Sequence, residues 1–119
     1  MKYMIATCFL AGLISFGISN ATSFSQETLN NANYIALTKT KIDGKTVYDG
    51  ECAVLFKNFN TGGWDIQNKC ARAYQFAVKF YGIPTPWSSQ CLRGGQPQNT
   101  PISFQASYPV SVFQEPCNP

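Results

Sequence analysis

Histidine is absent from all 119 residues. Any chemistry must therefore do without imidazole. Without imidazole the usual Ser-His and Cys-His hydrolases are excluded, and so are nucleases that use histidine as acid or base. A carboxylate pair remains. Asp49 and Glu51 flank Gly50, and residues two apart on a strand share a face. Two carboxylates across a cleft are the minimal set for glycoside hydrolysis, so a small hydrolase using this pair is one reading. The six acids sit mostly near turn signals and read more simply as solvated turn residues. No catalytic residue is assigned, and a non-enzyme is expected. Thr61-Gly62-Gly63 and Gly94-Gly95 are turn chemistry, not a phosphate-binding loop.

Cys52, Cys70, Cys91 and Cys117 are the next candidates. Their spacings are 18, 21 and 26, with no C-x2-C pair and no histidine to complete a tetrahedral set. A zinc site is not expected, and neither is any other metal or cofactor. A catalytic thiol at Cys70 would need a basic partner of the histidine kind. Two disulfides are the natural reading of four cysteines in an exported chain, and the N-terminus supports export. Lys2 precedes an apolar run from Met4 to Ile18, and Ser19-Asn20-Ala21 offers small residues at a cleavage site. This is the pattern of a signal peptide over residues 1–21. Cleavage removes Cys8 and splits the one N-glycosylation sequon, Asn20-Ala21-Thr22. The mature chain, residues 22–119, is then a single domain with no membrane span.

Nine basic residues oppose six acidic ones, a net charge of +3, with Lys2 in the leader. The basic residues are scattered apart from Lys39, Lys41 and Lys45. No dense basic stripe marks a nucleic-acid surface, so no nucleic-acid partner is expected. The aromatics Trp64, Tyr74, Tyr81, Trp87 and Tyr108 could form a sugar-stacking face or a protein hot spot, although most aromatics in a small protein build its core. Trp87, between Pro86 and Ser88 and close in sequence to Arg93, is the favoured anchor. Trp64 and Tyr81 complete the candidate binding set.

These residues need elements to hold them. Residues 22–32 are polar and read as loose. Residues 34–41 alternate, Asp43-Gly44 signals a hairpin, residues 45–48 return, and residues 51–59 form a third strand. From Asp65 to Gly82 the pattern predicts a helix. Asp65 is a good N-cap, and Ile66, Cys70, Ala73, Ala77 and Phe80 recur at spacings of 4, 3, 4 and 3, which makes one helical face. Gly82 and Pro84 would end it. Residues 82–101, rich in proline and glycine, read as a long irregular loop. Residues 102–113 form a final strand interrupted at Pro109. The expected fold is α+β, one central helix on an antiparallel sheet of four or five strands, stapled by disulfides. Four cysteines allow three connectivities. The predicted helix favours Cys70–Cys91, which would pin the loop to the helix, leaving Cys52–Cys117.

The leader, the short mature chain, the four mature cysteines and the missing catalytic set resemble the small secreted cysteine-containing proteins of fungi, including effector candidates of plant pathogens. That resemblance implies a secreted virulence-type protein, a monomer that binds a protein of its host. A carbohydrate- or cell-wall-binding module is the alternative.

Overall fold

The computed structural model describes residues 24–119; the expected signal peptide lies outside them. A six-residue helix, α1 (Gln26–Asn31), is capped by Ser25, whose side chain accepts from the Thr28 amide. It occupies the stretch expected to be loose and buries no residue. Nine strands follow: β1 (Ile35–Ala36), β2 (Thr38–Ile42), β3 (Lys45–Asp49), β4 (Ala53–Asn58), β5 (Gly63–Asn68), β6 (Tyr74–Phe80), β7 (Trp87–Ser88), β8 (Pro97–Ser103) and β9 (Pro109–Pro116). They form two antiparallel sheets. One runs β1-β9-β6-β7 and the other β2-β3-β4-β5-β8.

The α+β expectation is thus overturned. Residues 65–82 are not a helix but the end of β5, a turn and β6. Tyr74, Phe76, Val78 and Phe80 alternate through β6. Aromatic and β-branched residues lose rotamer freedom in a helix and fit a pleated surface well. Phe76 lies off the helical stripe, yet it is fully buried, as is Val78, with Phe80 nearly so. The 82–101 segment is also more regular than expected, because β7 and part of β8 fall inside it.

The sheets pack face to face. Ala53, Leu55, Trp64 and Ile66 from the five-stranded sheet meet Phe76, Val78, Phe80 and Val112 from the other, with Leu92 and Cys52 at the margin. The expected hairpin is present: Asp43 (φ 53°) and Gly44 (φ 77°) both adopt left-handed backbone, which matches the strand twist. Pro109 starts β9 beside a register shift, a position where its missing N–H does least harm.

The disulfides are Cys52–Cys70 and Cys91–Cys117. All four cysteines among the described residues are bonded, but the favoured pairing of Cys52 with Cys117 and Cys70 with Cys91 is wrong. The reason is the lost helix. With β4 and β5 paired so that Ala53 faces Asn68, Cys52 and Cys70 flank adjacent strand ends. The Lys69 amide donates to Cys52 O at 2.8 Å and closes the approach. Cys117 follows β9, where its amide donates to Ala73 O at 3.2 Å, and its bridge ties that end to the loop after β7. Asn68, fully buried, organises this corner. Its Nδ2 donates to Arg72 O and Leu92 O at 2.8 and 2.9 Å, and its Oδ1 accepts from the Cys70 amide at 2.9 Å.

Candidate aromatic and lysine groove

Beyond the core, the inner face of the five-stranded sheet continues as an open groove of about 440 Å³. Strand register decides which residues reach it. Side chains alternate between faces, and Lys39 pairs with Tyr48, Tyr48 with Leu55, and Lys57 with Trp64. These side chains therefore share the face that carries the core. The far wall comes from Tyr81, just past β6, and from the 104–108 turn between β8 and β9.

The rings are ordered against one another. Tyr81 and Tyr108 stack with centroids 5.0 Å apart and planes 8° apart. Tyr48 continues the stack, 6.3 Å from Tyr108 at 19°. Trp64 meets Tyr48 edge-on at 5.3 Å and Phe104 at 6.4 Å. The turn carrying these rings is held from below. The Trp64 Nε1–H donates to Ser107 O at 2.8 Å, the Ser107 hydroxyl donates to Tyr81 O, and the Tyr81 amide donates to Tyr108 O at 2.9 Å. A buried indole needs such a partner. Here the bond also fixes the outer rings.

Lys39 and Lys57 line the groove, and no acidic side chain does. The Lys57 ammonium lies 5.4 Å from the Phe104 ring centre, within cation–π range. The one ion pair among the described residues is elsewhere, between Lys69 and Asp49.

The candidate residues of the sequence divide between places. Trp64 and Tyr81 come together here, with different parts: Tyr81 is 61% exposed and can touch a ligand, whereas Trp64, 1% exposed, is the floor. Trp87 is half-buried in β7, pairs with Val78 and packs against the core, so it is not displayed on a loop. Arg93 is exposed in the 92–95 turn, where its backbone N–H donates to Gln96 Oε1 at 2.9 Å; neither Trp87 nor Arg93 lines the groove. The two carboxylates separate. Asp49 is committed to Lys69, and Glu51 lines a different hollow with Asn33, Ile35 and Tyr74. Asp65 is no helix cap. It is a nearly buried β5 side chain accepting from Asn58 Nδ2 and Asn99 Nδ2 at 3.0 and 2.7 Å.

Tyr48, Phe104 and Lys57 were not singled out from the sequence, and Lys39 only as one of a cluster with Lys41 and Lys45. Their types carried a signal, aromatic and basic, but only the strand pairing brings four separate segments to one face. Among the described residues no three acidic or cysteine side chains converge to hold a metal ion. Two disulfides in so small a protein are consistent with an extracellular location. No protein-family profile, curated protein or solved structure matches the chain.

Proposed function

We propose that this is a secreted binding protein and that the groove between β2–β3 and the 104–108 turn holds a stretch of polysaccharide. The observation that carries the reading is the Tyr48–Tyr108–Tyr81 stack, rigidly anchored through Trp64 and ending in an exposed ring. An aromatic ring fixed in an open, partly apolar cleft suits the C–H face of a sugar, and surrounding polar groups add orientation. Here those groups are Thr46, Gln105 and the two lysines. The N-terminal leader pattern and the two disulfides support secretion.

The test is retention on insoluble chitin, cellulose and β-glucan, with migration in gels containing soluble polysaccharides. Tyr81→Ala should weaken binding about tenfold, a typical cost for an anchoring ring, with the melting temperature nearly unchanged because the ring is exposed. Binding that ignores both Tyr81→Ala and Tyr108→Ala would remove the groove from the account.

A second reading has its own observation. The opposite face of the same sheet carries a hollow of about 760 Å³ bordered by Ile42, Val54, Phe56 and Phe59. Ile42 and Phe59 are 53% and 75% exposed. Exposed apolar residues of this kind suit a protein partner, such as a host protein bound by an effector. Ile42→Asp would then abolish capture of that protein and leave polysaccharide binding intact, since Ile42 borders this hollow and not the groove.

A further inference from the structure

The groove has a charge as well as a shape. We propose that its ligand is an acidic polysaccharide bearing one carboxylate per sugar, a polyuronate, with a ring against Tyr81 and carboxylates toward Lys39 and Lys57. This rests on the polysaccharide reading above and narrows it. Both lysines line the groove, both are exposed, and no carboxylate lines it to neutralise them. Lys41 adds a third ammonium on the same face, since it pairs with Thr46, a groove residue. Three like charges along one side of an aromatic cleft repel one another when empty, and an anionic ligand relieves that repulsion. A low-dielectric wall of rings strengthens the attraction relative to bulk water.

The charge density favours carboxylates over dense sulfation. The set is a few lysines, with no arginine lining the groove, and it lacks the guanidinium fork that grips doubly presented oxyanions. A chain with one carboxylate per residue matches isolated ammonium groups and still leaves an apolar sugar face for Tyr81. Lysines spaced along a strand also reach successive units of an extended chain: Lys39 and Lys41 are two residues apart, about 7 Å at the usual strand rise.

The experiment compares polygalacturonate with its fully methyl-esterified form, which keeps the backbone and removes the charge. Neutral cellulose and dextran sulfate complete the set, and the full exported protein is used. Binding to polygalacturonate should exceed binding to the ester by about tenfold or more. It should weaken when salt rises from about 0.1 to about 1 M, as the screening length falls from about 10 to about 3 Å. Lys39→Gln with Lys57→Gln should cut the ratio of acid to ester binding severalfold, leaving the part that Lys41 supplies, with the melting temperature nearly unchanged because both side chains are exposed. Equal binding of acid and ester would overturn the inference but leave the polysaccharide reading standing. Tighter binding of dextran sulfate would overturn the assignment to carboxylates. No binding to any of the four would overturn the inference, and no binding to chitin or β-glucan either would remove the reading on which it rests.

Discussion

Single residues carry unequal shares of this structure, and Tyr34 is an instructive case. Its ring packs against Phe113 at 6.1 Å, under the Lys79 ammonium at 4.1 Å. Its hydroxyl is buried and has no hydrogen-bond partner. A buried, unpaired hydroxyl costs about 1–3 kcal/mol. Tyr34→Phe keeps the ring and removes the cost, so it should be neutral or stabilising by up to about 1 kcal/mol in urea titration. Burial also raises the phenol's pKa above its ordinary 10.0. A folded-state value above the unfolded one means the unfolded chain releases its proton first. The contribution of Tyr34 to stability should therefore be level below about pH 10 and fall as pH climbs beyond it. The Phe variant should lack that part of the decline. An equal alkaline slope in both proteins would show that the Tyr34 hydroxyl is not responsible.

At the scale of elements, the segment from Asp65 to Gly82 decides the architecture, and the bond map tests it. A helix there turns Cys70 toward the loop that follows. Two strands place it beside Cys52. Peptide mapping of the oxidised protein should recover 52–70 and 91–117 and no 52–117 or 70–91 species. The Asp43-Gly44 hairpin was legible because it depends on a local backbone requirement. The single strand expected over 34–41 instead breaks at Leu37 into β1 and β2, which join different sheets. The break expected at Pro109 falls in the 104–108 turn, with Pro109 the first residue of β9. The 65–82 pattern misled because it satisfies two periods. Ala73, Ala77 and Phe80 recur as on a helix, while Tyr74, Phe76, Val78 and Phe80 alternate as on a strand. Ala77 is buried on the outer face of its sheet between Ser88 of β7 and Phe113 of β9, so β6 is covered on both faces at its centre and the simple alternation is blurred there. β8 was hidden by Pro97 and Pro101, which an edge strand tolerates because one row of its amides needs no partner. The groove shows the same limit. Trp64 and Tyr81 were named from their type, but their company with Tyr48, Phe104, Lys39 and Lys57 depends on pairings between distant segments that no local pattern reports.

For the molecule as a whole, the question is what keeps two small sheets together. The core that joins them is a short set of residues centred on Leu55, Trp64, Ile66, Phe76 and Val78, and small domains bury a limited share of their surface. The outer strands β2 and β8 of the larger sheet carry lysines and prolines, which discourage pairing with other chains but add little cohesion. The two bridges span separations of 18 and 26 residues, and loop-closure arithmetic assigns each about 3 kcal/mol. Their sum, about 6 kcal/mol, is comparable with the whole stability of a typical domain, about 5–15 kcal/mol. Reduction should therefore unfold the protein at 37 °C or bring it close to unfolding. Trp64 reports this directly, because it lies buried between the sheets and would meet water, shifting its emission to the red. The expected result is loss of β-type circular dichroism together with the red shift in dithiothreitol, reversed on reoxidation. A reduced chain that kept its native melting temperature would show that the packed rings suffice, and the fold would then be as stable in a reducing compartment as outside the cell.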